Sequence, residues 1–300
     1  MMNTTTKATL IGATAIVMWG TLALLTQLTE GRVPPFQLMA ITFSIAFLLM
    51  LGRWRIQGHW GTRYLKQPAS AWAISLLGIF GNHFCYFMAM TMAPAVEVSL
   101  IAYLWPLAMV LLSALLPDQH LKAPQLAGAL LAVFGCWLLV GKGSDGFNSE
   151  YLSGYLFAFG CVILWSSYSV ANRLVAAVPT DAVGWFCAVT AVLSLFCHWL
   201  WEDTQWPATT WQWIGVVALG LGPLGVAFFT WDYGVKFGHL ATLGILSYAA
   251  PLISVTLLVL ANKAEASWSL LWACIAIVGG SALAGLSMRR QAKRAKAQTA

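Results

Sequence analysis

Few residues in this 300-residue sequence can do chemistry, and most stand alone inside apolar runs. Asn82 and His83 lie near the middle of one run. Lipid solvates an amide or an imidazole poorly, so their polar edges face a cavity or another helix; a hydrogen-bonded structural histidine is the plainer alternative. Glu97 opens the next run. It reads as a rim carboxylate, a proton-coupling group, a partner for a substrate ammonium, or a helix N-terminal acid favoured by the dipole. Asp232 and His239 bracket a very short turn and read as solvated groups. His198 and Asp203 make an HxxxxD spacing of the acyltransferase kind, but no second motif accompanies it and chance explains it. There is no HExxH, no pair of intramembrane aspartates, no Ser-His pair on facing spans and no GxxxxGK[ST] phosphate loop. No catalytic residue is expected, and no ATP-driven pump within this chain. Cys85, Cys136, Cys161, Cys187, Cys197 and Cys274 form no CxxC pair and no zinc spacing with a His. They read as small apolar packing residues, so neither a metal nor a cofactor is expected.

The aromatic residues are the richer signal. Of 16 tryptophans, Trp54, Trp60, Trp201, Trp206, Trp211, Trp213 and Trp268 fall at the ends of apolar runs, where an interfacial belt is expected. Trp19, Tyr86, Tyr103, Trp105, Trp165, Tyr168 and Tyr248 fall at mid-depth. Lipid gives their NH and OH groups nothing to bond, so they line a cavity or a packed core. At about 100° per residue, Tyr103 sits about 200° from Trp105, so both cannot point into one cavity, while Trp165 and Tyr168 are about 60° apart and share a face. Trp105 is therefore preferred to Tyr103. Pro106 and Pro251 each remove a backbone donor mid-helix, which leaves the carbonyls of Ala102 and Ser247 without their bonds. Freed carbonyls at matched depths point to a binding site or to plain helix bending.

What must position these residues is a membrane. Hydrophobic residues make up 60% of the chain and Asp, Glu, Lys and Arg only 9%, against about 25% charged in a soluble domain; the mean hydropathy is +0.76. This excludes a soluble enzyme, a disordered chain and a nucleic-acid-binding module. Ten apolar segments can be drawn, at roughly 8–28, 35–52, 71–92, 95–116, 124–141, 153–173, 181–201, 210–232, 239–260 and 268–287. They are too long and too continuously apolar for barrel strands of about ten alternating residues. The first is not a convincing signal peptide, because no small-residue cleavage site leads into a polar chain. With the N-terminus in the cytoplasm, only Arg32, Lys142 and Lys263 of the 16 basic residues face outward. The other thirteen, including Arg53, Arg55, Arg63, Lys66, Arg173 and the tail from Arg289 to Lys296, lie inside, as the positive-inside rule asks. The tail reads as a topology anchor beside anionic headgroups.

The chain also resembles itself at an offset of about 145 residues. Tyr86–Pro106 lies over Trp231–Pro251 without a gap, with Tyr103 on Tyr248 and Pro106 on Pro251; Gly135 falls on Gly280, and Trp19 on Trp165. Two five-span repeats are therefore expected: residues 1–141, an outer loop 142–152, residues 153–287 and a basic cytoplasmic tail 288–300. An odd number of spans per half inverts the second half in the membrane. Inverted repeats are the architecture of transporters that alternate access to a midplane site between the halves. Gly128 and Gly135 in the fifth span and Gly279, Gly280 and Gly285 in the tenth would let the equivalent ends pair closely.

Ten spans in two halves, a basic inner tail and Tyr or Trp before Pro in the fourth helix resemble the drug/metabolite transporter superfamily in its EamA branch. The run Ala95-Val-Glu-Val-Ser-Leu-Ile-Ala-Tyr-Leu-Trp-Pro106 is similar to that of its aromatic amino acid exporters, as are Lys7–Gly12 and Trp19. Asn82-His83 departs from the Tyr-Glu pair expected there. The resemblance implies an all-α inner-membrane exporter of aromatic amino acids and related neutral compounds. Its partners would be a small-molecule substrate and the bilayer, with no nucleic acid and no obligatory protein partner. Trp19, Asn82, His83, Tyr86, Tyr103, Trp105, Trp165, Tyr168 and Tyr248 are the candidate substrate-binding residues; Glu97, Pro106 and Pro251 are the gating or coupling candidates. The same fold with another cargo is the rival. A multidrug cation would want a carboxylate at mid-depth, and a nucleotide sugar would want a deep Lys or Arg; the sequence shows neither. An intramembrane enzyme is the remoter alternative.

Overall fold

The computed structural model describes residues 3–116, 123–140 and 148–262, and beyond these 268, 271–273, 275–280 and 283. Lys122, Lys142, Lys263, Cys274, Gly285 and the tail 288–300 therefore lie outside the described residues. The described elements are helical. The first span is α1 (Thr4–Gly20) and α2 (Leu22–Leu28), the second α3 (Pro35–Ile56), and the third α4 (Ala69–Leu76) and α5 (Asn82–Met92). The fourth is α6 (Ala95–Ala102) and α7 (Trp105–Ser113), and the fifth α8 (Ala123–Val140). The sixth and seventh are α9 (Leu152–Ala171) and α10 (Val183–Trp201). The eighth is α11 (Thr210–Leu221) and α12 (Ala227–Phe237), and the ninth α13 (Leu240–Leu246) and α14 (Ala249–Leu260). Among the described residues, seven helices are long and apolar enough to cross a membrane, and three shorter apolar stretches, Glu97–Ser113, Ala123–Gly135 and Leu271–Gly280, accompany them.

The repeat is visible in the backbone. A single turn of π-helix joins α4 to α5 at Leu77–Gly81, and another joins α11 to α12 at Gly222–Val226. The amide of Asn82 reaches back five residues to Leu77 O, and that of Ala227 to Gly222 O. Both positions differ by 145, so the third and eighth spans carry the same wide turn, a feature that often marks functional sites. The fourth and ninth spans break at the same matched depth. Leu104 N–H bonds Ile101 O at 2.9 Å, and Tyr248 N–H bonds Ile245 O at 3.3 Å, three residues back in each case. This corrects the reading of the prolines. Pro106 and Pro251 lie in the first turns of α7 and α14, not inside continuous helices. The missing proline donor costs little there. Ser247 O is not freed: Ala250 N–H donates to it at 3.1 Å.

Helix directions show that the halves are inverted. Equivalent helices pack antiparallel, as a two-fold axis in the membrane plane requires. In the second and seventh spans, Gly184 meets Met50 and Trp54, while at the other end Glu202 meets Phe36 and Gln37. In the fifth and tenth, Gly135 meets Ala273 and Ile277, and Gly280 meets Gly128 and Ala132. Gly279 approaches less closely, its nearest neighbour being Leu131. The first and eighth spans also run antiparallel and touch backbone to backbone. A Cβ added to Gly12 would stand 2.9 Å from Gly234 Cα, and one added to Gly234 2.5 Å from Gly12 Cα. The symmetry-related pair, the sixth and third spans, puts Ala158 and Ala89 in the same cluster, both fully buried.

One belt residue is misplaced by the sequence reading. Trp54 is fully buried. It stacks between Tyr64 and Trp185, each 5.6 Å away. Gly61 makes room for it: its φ is +72°, and a Cβ would lie 2.1 Å from the Trp54 ring. Trp60, Trp201, Trp206, Trp211, Trp213 and Trp268 are exposed.

Candidate functional site

Four tryptophans from four spans meet near the middle of the molecule. Trp19 from α1 lies 5.5 Å from Trp165 of α9, 6.3 Å from Trp105 of α7 and 5.0 Å from Trp231 of α12. Trp105 lies 6.1 Å from Trp165 and 5.8 Å from Trp231. Most of these contacts are edge to face, the arrangement the ring quadrupoles favour. Two of these indole NH groups are tied to a neighbouring span. Trp19 Nε1 donates to Pro223 O in the π-turn at 3.0 Å, and Trp231 Nε1 to Ser169 Oγ at 3.1 Å. Ser166 Oγ donates to Trp105 O at 2.8 Å, so the sixth span holds the rim of α7. Tyr168 is fully buried beneath Trp165, with ring centroids 5.2 Å apart.

Phe228 links this cluster to a second wall. It lies 5.8 Å from Trp165, 5.3 Å from Phe43 and 5.9 Å from His83. His83 Nδ1 is 2.7 Å from Ile79 O. A carbonyl only accepts, so Nδ1 carries the proton and Nε2 is left as an acceptor. The other π-turn thus receives an aromatic N–H too. Phe87, Phe84, Phe36 and Trp201 continue the aromatic path toward the α5 end of the molecule.

The other sequence candidates lie elsewhere. Asn82 accepts from Cys161 Sγ at 2.8 Å, against α9. Tyr86 packs with Ala89, Val98 and Tyr155. Tyr103 and Tyr248 belong to a cluster with Val110, Ala129 and Ile277 between the fourth, fifth, ninth and tenth spans. Tyr103 also lines an apolar pocket with Leu104, Val133 and Trp137. Glu97 is in the first turn of α6, buried, and accepts a hydrogen bond from the Tyr155 hydroxyl. Trp231, Phe228 and Phe43 were missed as site residues. Trp231 had a signal, since it aligns with Tyr86 across the repeat.

Two polar networks lie at opposite ends, and both correct the sequence reading. Asp232 is not a solvated turn residue but is 1% exposed. Its carboxylate accepts from Asn172 Nδ2 at 3.0 Å, Thr180 Oγ1 at 2.6 Å and Lys236 Nζ at 2.9 Å. A buried carboxylate and a buried lysine therefore exist after all; the i,i+4 spacing was their signal. His198 pairs with Glu202 at 2.9 Å, not with Asp203, and its Nε2 lies 2.9 Å from Thr204 Oγ1. Glu202 caps α3 by accepting from the amides of Phe36 and Gln37. Among the described residues no His, Cys, Asp and Glu group has the geometry to hold a metal.

The two ends differ in packing although the fold relates them. In α12 seven of eleven residues are buried, whereas in its equivalent α5 only Ala89 is. In α13 five of seven are buried; in its equivalent α6 the buried residues include Glu97, Val98 and Ile101. α12 and α13 are thus packed more tightly than their equivalents α5 and α6.

Ten apolar helices in two inverted halves, with an aromatic cluster at their meeting point, define a multi-pass membrane transporter. The chain belongs to the EamA-like transporter family, whose family model matches residues 6–141 and again 152–286. It is 49% identical over 286 residues to the aromatic amino acid exporter YddG of Ancylobacter novellus, covering 95% of this chain and 99% of that one. The exporter YddG of Escherichia coli is 27% identical, covering 95% and 98%. A biotin transporter of Salmonella typhimurium is 26% identical over 77% of each chain. A crystal structure at 49% identity superposes with a TM-score of 0.91, covering 95% of this chain and 99% of that one.

Proposed function

We propose that this chain exports aromatic amino acids (Trp, Phe and Tyr) and related neutral amino acids or metabolites across a bacterial inner membrane, by alternating access between its inverted halves. The carrying observation is the aromatic cluster of Trp19, Trp105 and Trp165, joined through Phe228 to His83, in a chain close in sequence to a relative named as such an exporter. Indole and phenyl side chains suit a pocket of ring edges and faces. His83 Nε2 would accept from the substrate ammonium, and Tyr168 would floor the site. Asn82 would act at its flank. Tyr86, Tyr103 and Tyr248 would support the surrounding helices, and the breaks before Pro106 and Pro251 would be the hinges. Glu97, held by Tyr155, would brace the outer end of α6.

Arg53, Arg55 and Arg173 share the α12 end: Arg53 pairs with Asp181 at 3.6 Å, and Arg173 Nη1 donates to Gly238 O. The positive-inside rule makes that end cytoplasmic, with both termini inside. The structure would then be the outward-open member of the cycle. The enzyme alternative is set aside on family grounds. The test is efflux from living cells. Bacteria lacking their own exporters, loaded with radiolabelled phenylalanine, should lose it several-fold faster when they make this chain. Efflux unchanged by a chain shown to be in the inner membrane would refute the reading.

A further inference from the structure

The network at the α12 end has a feature the symmetry of the fold does not repeat. Asp232 and Lys236 lie one turn apart on α12 and are 1% and 4% exposed. The Lys236 ammonium is 2.9 Å from the carboxylate and also donates to Val178 O at 2.9 Å. Through Asn172 and Thr180 the same carboxylate holds the end of the sixth span and the loop leading to the seventh. One ion pair thus ties three segments together. At the opposite end, the positions related by the repeat are Phe87 and Thr91 for the pair, Thr26 and Pro34 for its side-chain partners, and Arg32 for Val178. Neither Phe87 nor Thr91 can carry a charge, and Arg32 is turned to Trp206 O. The Phe87 ring instead meets Phe36, with ring centroids 5.6 Å apart. The pair also adjoins the candidate site, because Trp231 directly precedes Asp232 in α12.

A buried ion pair satisfied by side chains and a carbonyl from several segments has two stable conditions. Either all the segments are together and both charges are bonded, or they part and water solvates both; a half-parted state leaves a charge unpaired in a poor solvent. That is the behaviour of a latch. Aromatic contacts slide and loosen by degrees, so the two ends close by different chemistry.

We infer that Asp232 and Lys236 form the latch of the cytoplasmic gate, and that hydration of this pair is the step that opens the site inward. The repeat-related positions at the outer end carry no ion pair, and the His198–Glu202 contact there joins the second and seventh spans instead, so the resting protein stands with its inner end shut. This deepens the alternating-access reading and rests on it.

The test is amide hydrogen exchange on the full chain in lipid nanodiscs, with no substrate present. Asp232→Asn and Lys236→Met each break the pair. Exchange across residues 174–183 and 233–243 is expected to rise at least tenfold, with residues 30–38 and 198–206 unchanged. Asp232→Leu combined with Lys236→Met replaces the latch with an apolar contact that water cannot open. That chain is expected to exchange at or below the native rate at the inner end and to lose at least nine-tenths of its flux. Exchange that rises equally at both ends, or at neither, overturns the proposal, as does native flux in the double variant. The exchange arm needs no cargo, so a failed amino acid assignment leaves it readable.

Discussion

Trp19 and Trp165 occupy equivalent positions in the two halves, and their rings meet edge to face with centroids 5.5 Å apart. A contact between symmetry-related residues lies at the axis that exchanges the halves. It can persist whichever end is open, so a ligand held there stays at the pivot while the path moves around it.

Replacing either ring should therefore weaken cargo binding without unfolding the chain. Edge-to-face aromatic contacts contribute about 0.5–1.5 kcal/mol each beyond area burial. Trp165→Phe should raise the KM for tryptophan several-fold, and Trp165→Ala should cut kcat/KM by about tenfold or more, each 1.4 kcal/mol being a factor of ten. Uptake into liposomes at several tryptophan concentrations measures this.

His83 should matter to the amino acid head rather than the ring. Its Nδ1–H is committed to Ile79 O, which leaves Nε2 as the acceptor for an ammonium. His83→Ala should lower tryptophan flux more than flux of indole-3-propionate, which keeps the ring and carboxylate but has no amine. Equal losses for both compounds would place the imidazole in packing instead.

The contact between Gly12 and Gly234 should tolerate no side chain. A Cβ on Gly12 would stand 2.9 Å from backbone, and such overpacking costs about 1–3 kcal/mol. Gly12→Ala should lower the melting temperature in detergent by several degrees. Gly279→Ala, whose Cβ would meet nothing closer than 4.0 Å, should leave it unchanged.

His239 gives the α12 end a pH dependence. It lies in the turn between α12 and α13, where burial and then the nearby Arg173 charge hold its pKa below 6.5. The folded protein binds this proton less readily than the unfolded chain. The contribution to stability is thus complete above about pH 6.5 and declines as pH falls from there toward the lowered pKa. The melting temperature should drop between pH 7.5 and pH 5.5, and His239→Asn should make that drop smaller.

The span count, the repeat offset and the membrane setting were legible because hydropathy records depth. Azimuth and breaks were not. Pro106 looked like a mid-helix kink because apolar residues continue on both sides; only the i→i−3 bond from Leu104 shows that a new helix starts. Asp232 looked solvated because it lies near a turn in sequence. In space it is roofed by Asn172 and Thr180, brought from another span and its loop. Trp54 read as a belt residue for the same reason, yet Tyr64 and Trp185 enclose it. The mid-depth aromatics were visible as a set. Which of them meet depended on helix pairing, so Trp231 went unrecognised while Tyr248 was included.

The central claim is tested most directly by flux through the purified protein. Reconstituted in liposomes, it should carry radiolabelled tryptophan and phenylalanine well above empty vesicles and faster than alanine, with Trp19→Ala and Trp165→Ala each losing most of that flux. Repeating the measurement with a proton gradient separates a facilitator from an antiporter. No flux of any of the three amino acids, in folded protein of the correct orientation, would contradict the account.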